Sequence, residues 1–168
     1  MRNRVASALL SAVVVSAALS GCTFDAVQAN QKPYDPSDGI GETIGDIAVR
    51  NALLVTDDGE TANLVVNIVN EGVQNVALTV SWETDAGRAE RNVYVRAGGT
   101  LDYGGERNRL LLTGLDAQPG SLFPVFFQYG DEEGRDLAVP VLDGGLDEYA
   151  DLVPQTSGAP ASSAAFAD

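Results

Sequence analysis

The sequence predicts an all-β domain built as a single antiparallel β-sandwich of about seven short strands. Three observations predict this fold class. Apolar residues recur with a period of two, the runs are separated by turns rich in Gly, Asp and Asn, and the three- and four-residue apolar spacing of a helix is missing from the same region. The predicted sandwich spans residues 44–143.

The clearest strand is the segment at 75–83, NVALTVSWE. Its apolar Val76, Leu78, Val80 and Trp82 alternate with smaller or polar residues, which is typical of a half-buried strand. Similar runs predict six further strands, at 47–55, 64–69, 93–95, 110–112, 125–129 and 137–142. Turn sequences such as Asp-Asp-Gly at 57–59 and Asn-Glu-Gly at 70–72 separate them. Pro140 lacks an N–H donor and therefore indicates a sheet edge or a strand end.

A tryptophan on a mid-domain strand is typical of the core of an immunoglobulin-like sandwich, and Trp82 fits that position. The chain has one cysteine, so no intrachain disulfide supports the fold. We expect Trp82, Phe126, Phe127 and Tyr129 to pack in the core, the alternative being a carbohydrate or peptide platform. Phe126 and Phe127 are adjacent and point to opposite faces of a strand, so we predict a partner surface at this pair.

The first 21 residues have the layout of a secretory signal, with Arg2 and Arg4 before an uncharged apolar run at 5–19 and small residues after it. The run is shorter than the roughly 20 residues that a membrane-spanning helix needs. Cys22 follows directly in the sequence LSGC. These residues resemble the lipobox of bacterial lipoproteins, in which the cysteine thiol is acylated and becomes the first residue of the mature chain.

The lipobox resemblance predicts lipidation of Cys22 and a lipid-anchored position on the extracytoplasmic face of the cell membrane. The alternatives are cleavage near Ala17 and Ala18, which leaves Cys22 as a free thiol of a secreted protein, and a buried structural cysteine. Residues 22–43 are then expected to form a flexible tether, and residues 144–168 an acidic, then Ala/Ser/Pro-rich disordered tail.

Composition excludes several classes of function. The net charge of −14 becomes about −16 when Arg2 and Arg4 leave with the signal, which disfavours nucleic acid and anionic lipid head groups as partners. The chain has no histidine and its single methionine is Met1, so soft copper or zinc sites are not expected. Ser121 lacks the following glycine of a nucleophile elbow. We therefore predict no catalytic residues, no bound metal and no cofactor.

Acidic clusters at 57–60, 131–133 and 143–148 offer oxygen ligands of the kind that calcium prefers. None has the spacing of an EF-hand loop, and solvated hairpin turns are the commoner explanation of such clusters. Calcium binding therefore remains only an alternative.

The segments QKPYDPSDG at 31–39 and GDIAVRNA at 45–52 resemble the start of the mature domain of small actinobacterial lipoproteins of the LpqE type. The resemblance covers roughly residues 31–142. It implies an envelope location and an immunoglobulin-like sandwich distantly similar to periplasmic copper chaperones. Those chaperones bind copper through histidine and methionine, and this chain has neither after Met1, so the resemblance does not extend to copper carriage.

The sequence thus predicts a membrane-anchored, non-catalytic binding or scaffold module for an envelope protein or a cell-wall component. The alternative is a small-ligand or calcium-binding lipoprotein. An enzyme that uses paired carboxylates is the least favoured reading, because no dyad can be singled out among so many acidic residues.

Overall fold

The computed structural model describes residues 37–155 as an all-β domain of nine strands followed by one short helix. The elements are β1 (Ile40–Ile44), β2 (Ile47–Val55), β3 (Thr61–Asn70), β4 (Val76–Thr84), β5 (Gly87–Val95), β6 (Thr100–Tyr103), β7 (Leu111–Thr113), β8 (Leu122–Tyr129), β9 (Arg135–Leu142) and α1 (Asp147–Ala150). The predicted signal, Cys22, most of the predicted tether and residues 156–168 lie outside the described residues. The all-β class is confirmed.

The strands form one strongly curled mixed sheet in the order β5-β4-β8-β9-β2-β3-β6, with β1 paired to β2 and β7 paired to β3. Every pairing is antiparallel except that of β9 with β2, which is parallel. Up to Pro140, β9 pairs with β8, and its last two residues, Val141 and Leu142, pair with β2. Strand β9 therefore joins the two halves of the curled sheet.

The inner face of the sheet encloses a single apolar core. In β4 the predicted alternation is confirmed, because Leu78 and Val80 are fully buried and Trp82 is 4% exposed. The Trp82 indole Nε1 donates a hydrogen bond to the Thr113 carbonyl in β7, at 3.0 Å. Strands from both halves of the sheet contribute to the same cluster of buried side chains. About 25 cal/mol for each Å² of buried apolar area makes this cluster the main stabilising element of a domain without disulfides.

Two strands, β1 and β6, were not predicted, so the structure has nine strands rather than about seven. β1 has the sequence IGETI and includes residues 40–43, which the sequence assigned to the tether. β6 has the sequence TLDY. Neither is long enough to show a period of two, and both are formed by pairing with longer strands, β1 with β2 and β6 with β3.

Strand β5 is longer than predicted and begins at Gly87 rather than Val93. It forms a tight hairpin with β4, in which Thr84 pairs with Gly87. Its first half, GRAERN, is exposed or half-buried and lies at the end of the strand order. An edge strand with charged side chains lacks apolar alternation, and charges there protect the open edge from unwanted pairing.

Pro140 was predicted at an edge or a strand end, and it lies inside β9 instead. It occupies the place where β9 passes from β8 to β2 as its neighbour. Beyond Pro140 the bonding continues irregularly, because the Val141 N–H donates to the Ser121 carbonyl at 3.0 Å and the Val141 carbonyl accepts from the Gly120 N–H at 2.8 Å. A missing N–H is tolerated at such an irregularity.

Residues 144–155 belong to the sequence-predicted tail, yet they contain α1 and bond to the domain. The buried Asn63 amide donates to the carbonyls of Gly104 and Leu152, at 2.7 and 2.9 Å. The Arg109 guanidinium donates to the Asp151 carbonyl at 2.6 Å and to the Val153 carbonyl at 3.3 Å. Contacts to main-chain carbonyls from such distant residues leave no local sequence signal. No helix in residues 37–155 has the length and apolar character to cross a membrane.

Candidate functional site

The outer face of β8 is apolar as well as its inner face. Alternate residues of β8 enter the core, and these are Phe123, Val125 and Phe127. The residues that alternate with them, Leu122, Pro124 and Phe126, point to the other side of the sheet. Leu122 is 66% exposed, and Phe126 is half-buried.

Strand β9 extends this apolar surface. In the antiparallel register, Leu122 lies opposite Pro140, and Pro124 lies opposite Ala138. Directly opposed residues share one face of a sheet, with their Cβ atoms about 5 Å apart. We call the surface formed by Leu122, Pro124, Phe126, Ala138 and Pro140 the β8–β9 face. An antiparallel sheet normally turns polar side chains towards water, so this contiguous apolar set is a candidate interaction surface.

Phe126 is held in place at one end of the β8–β9 face. The Arg88 guanidinium lies over its ring, 5.7 Å from the centroid, and Arg88 Nε also pairs with the Glu83 carboxylate at 2.8 Å. The ring abuts Gly134, where a side chain would not fit. Ser81, its partner in the register with β4, is 3% exposed. The charged rim and the fixed aromatic give the face a defined boundary.

The β8–β9 face is flat. The depression beside Phe126, between β4 and β8, has a volume of about 40 Å³. Drug-sized ligands occupy cavities of about 300–1,000 Å³. The geometry of this surface therefore suits a macromolecular partner better than a small molecule.

The aromatic residues singled out in the sequence have separate positions. Phe127 is fully buried, so its place in the predicted partner surface is corrected, because its side chain points into the core. Phe126 lies on the opposite face, as adjacency on a strand requires. Trp82 and Phe127 have the predicted core role, and the half-buried Tyr129 packs against the core while its hydroxyl accepts a hydrogen bond from the Asp46 N–H at 2.8 Å. Cys22 lies outside the described residues.

Sequence reasoning missed four members of the β8–β9 face: Leu122, Pro124, Ala138 and Pro140. A signal was present, since LFPVFF at 122–127 and LAVPVL at 137–142 are apolar at both odd and even positions. A strand with one solvent-exposed face alternates apolar and polar residues, whereas a continuous apolar run indicates a strand with two apolar faces.

Two of the predicted acidic clusters meet in the fold. The Asp57 carboxylate accepts a hydrogen bond from the Gly144 N–H at 3.0 Å, beside a depression of about 480 Å³. In residues 37–155 there is no group of three or more His, Cys, Asp or Glu side chains placed to hold a metal ion.

The Asp58 carboxylate organises the turn between β2 and β3. Its Oδ1 accepts hydrogen bonds from the N–H groups of Thr61 and Glu60, both at 2.9 Å, and from the Thr56 hydroxyl at 3.1 Å. These bonds, above all that from Thr61, hold the pKa of Asp58 below its ordinary value of 3.8 although partial desolvation opposes them. This cluster therefore acts as a hydrogen-bonded turn.

No family model and no curated protein matches the chain. Among solved structures, the apo PCuAC domain of PmoF2 is similar, with 14% identity and a TM-score of 0.45 over 61% of this chain and 95% of that domain. The apo PCuAC domain of PmoF1 is similar as well, with 16% identity and a TM-score of 0.44 over 61% of this chain and 99% of that domain. The chain thus has a distant structural similarity to PCuAC domains.

Proposed function

We propose that this protein is a membrane-anchored lipoprotein of the cell envelope whose β-domain is a non-catalytic binding module. Its β8–β9 face docks a partner protein of the envelope. The observation that carries the proposal is the pair of cross-strand apolar contacts on an outer sheet face, Leu122 opposite Pro140 and Pro124 opposite Ala138. Burying such a face stabilises a complex by removing apolar area from water.

A protein partner suits the shape and chemistry of the face. Protein interfaces have an apolar centre and a polar, solvated rim. Here the exposed Leu122 and Pro124 form part of the centre, and Arg88, Glu83 and Asp136 lie at the rim. A lipid surface fits less well, because the net charge of −14 is repelled by anionic head groups.

The proposed lipid anchor at Cys22 is supported by the sequence alone. Cys22 follows a signal-like segment, and the segments at 31–39 and 45–52 resemble LpqE-type lipoproteins of actinobacteria. A diacylglyceryl group supplies two acyl chains, which anchor a protein stably, whereas one chain is marginal. The lipid holds the domain at the membrane surface, so a membrane-bound partner meets it at high effective concentration.

The docking proposal is tested by in-cell cross-linking of the tagged, lipidated chain, followed by mass spectrometry. Leu122→Asp places a charge at the centre of the β8–β9 face. Val73→Asp is the matched control, because Val73 is 92% exposed in the turn between β3 and β4. We expect one envelope protein to be recovered with the parent and the control and to be lost at least about tenfold with Leu122→Asp, since each 1.4 kcal/mol of binding energy is tenfold.

Equal recovery of that protein with Leu122→Asp overturns the proposed face, provided that both variants melt at the same temperature. The anchor is tested separately with Cys22→Ala, which we expect to move the protein from the membrane fraction to the soluble or precursor pool. Unchanged fractionation together with an unmodified mass of the parent overturns the anchor.

A further inference from the structure

A second surface feature lies where the chain crosses from edge strand β5 to edge strand β6. Tyr94 and Arg96 form one wall of a cleft of about 510 Å³, and Thr100 and Leu101 of β6 form the other. Tyr94 is 73% exposed, which places a large aromatic ring in water at the mouth of the cleft. These residues are separate from the β8–β9 face.

The floor of the cleft is a turn whose backbone is bonded from several sides. Within the turn, the Gly99 N–H donates to the Arg96 carbonyl at 2.9 Å, and a Cβ at Gly99 would lie 2.9 Å from that same oxygen. The flanking loop bonds to the turn at three points: Ala97 N–H to Asn75 Oδ1 at 3.0 Å, Gly98 N–H to the Gly72 carbonyl at 3.1 Å, and Asn70 N–H to the Gly99 carbonyl at 2.9 Å.

The side chain of Asn70 adds further hydrogen bonds to the flanking loop and to the end of β5. Asn70 is 1% exposed, and its amide donates to the carbonyls of Gln74 and Val95, at 2.7 and 3.3 Å. These hydrogen bonds therefore hold the backbone that carries Tyr94 and Arg96 in one conformation. A preformed cleft lowers the ordering cost of binding.

The Arg96 guanidinium is available for a ligand. The ion pairs among residues 37–155 join Arg88 to Glu83 and Arg135 to Glu133, and Arg96 takes part in neither. Five of the seven arginines in these residues form no ion pair, and Arg96 is the one of the five that lines this cleft beside the exposed Tyr94. Its planar fork matches a carboxylate or a phosphate group with two parallel hydrogen bonds.

We propose that this cleft binds a sugar ring that carries a carboxylate or a phosphate. The C–H face of the ring packs on the Tyr94 ring, whose electron-rich face attracts the partially positive hydrogens. The anionic group pairs with Arg96, and the Thr100 hydroxyl supplies a further hydrogen-bonding group on the opposite wall. A flat apolar wall with one cation and one hydroxyl provides few but convergent polar contacts, as small-ligand sites do.

Saturation-transfer NMR on the full chain in neutral detergent micelles tests the proposal, with D-glucuronate and D-glucose 1-phosphate as probes. D-glucose is the control for the ring alone, and inorganic phosphate, which has no C–H protons to observe, is the control for the anion alone and is measured by its competition with D-glucose 1-phosphate. We expect Arg96→Gln and Tyr94→Ala each to raise the dissociation constant at least about tenfold, which corresponds to one charge-assisted or stacking contact. Arg107→Gln removes another exposed arginine outside the cleft and should leave the constant unchanged.

The two probes distinguish the carboxylate from the phosphate form of the ligand, and binding of either one that depends on Tyr94 and Arg96 supports the proposal. The proposal is overturned if neither probe binds below about 10 mM, which corresponds to less than 3 kcal/mol. It is also overturned if Arg96→Gln and Arg107→Gln behave alike, or if inorganic phosphate binds as tightly as D-glucose 1-phosphate, because the ring then contributes nothing.

Discussion

The Arg88 guanidinium covers the ring of Phe126, with its Cζ atom 5.7 Å from the ring centroid. The same arginine pairs with Glu83 on the neighbouring strand. The aromatic member of the β8–β9 face is thus oriented by a cation from an edge strand two positions away in the strand order.

This contact predicts a measurable coupling between the two side chains. In a double-mutant cycle of Arg88→Ala and Phe126→Ala, we expect a coupling energy of about 0.5–1 kcal/mol, as for other exposed cation–π pairs. Urea unfolding of the parent, the single variants and the double variant measures it. The cycle with Arg91→Ala in place of Arg88→Ala should show no coupling, and an equal value in both cycles would contradict the assignment.

The hydrogen bond between Trp82 and Thr113 predicts that Trp82→Phe is destabilising. The variant keeps an aromatic ring in the core but leaves the Thr113 carbonyl without its donor, so we expect a loss of about 1–3 kcal/mol in the free energy of unfolding. Urea unfolding measures the loss. Val73→Ala, at a position that is 92% exposed, should change the same quantity by less than about 0.5 kcal/mol. If Trp82→Phe lowers the free energy of unfolding no more than Val73→Ala does, the hydrogen bond contributes little to stability.

The lowered pKa of Asp58 predicts that the stability of the domain falls at low pH. Its folded-state pKa lies below 3.8, so the charged carboxylate contributes stability that is present above the unfolded pKa and is lost as the pH falls through the folded pKa. Asp58→Asn keeps an oxygen acceptor and removes the charge. We expect the variant to melt below the parent at pH 7 and the difference to shrink below about pH 4.

Melting temperatures of both proteins between about pH 7 and pH 2.5 test this expectation. Asp116→Asn is the control, because the Asp116 carboxylate accepts no hydrogen bond among residues 37–155, and it should change the melting temperature little. A difference between Asp58→Asn and the parent that stays constant with pH would mean that the charge is not responsible.

The hydrogen bond of Tyr149 predicts that the domain also loses stability at high pH. Its hydroxyl donates to the Asp38 carboxylate, and that hydrogen bond raises the pKa of Tyr149 from 10.0 to about 12. The bond contributes stability that is fully present below the unfolded pKa and is lost as the pH rises through about 12. Tyr149→Phe should lower stability at neutral pH and remove the highest-pH step of the phenolate absorbance titration. Persistence of that step in the variant would assign it to another of the five tyrosines.

Much of the fold was readable from local patterns. The bounds of β2 agree with the predicted run at 47–55, and Trp82 occupies the predicted place in the core. Half-buried strands show a period of two wherever one face is buried. β1, β6 and the first half of β5 lack that pattern, because pairing with longer neighbours, rather than burial of their own side chains, holds them in the sheet.

The β8–β9 face was predicted only in part. Phe126 was named from its adjacency to Phe127, but adjacency does not tell which of the two faces the core. That choice is made by the tertiary structure, in which Val125 and Phe127 align with the buried residues of β4 and β9. The apolar run at 122–127 signalled two apolar faces, and only the assembled sheet shows that one of them remains open.

The sequence alone was enough for properties that depend on composition and on near neighbours. These are the all-β class and the absence of histidine and of any methionine beyond Met1, whereas acylation of Cys22 stays a prediction. The tertiary structure decided which distant residues share a surface. Pro140 comes to lie opposite Leu122, and Arg96 and Tyr94 come to lie beside Thr100, because sheet register and the crossing between edge strands depend on how the whole core packs.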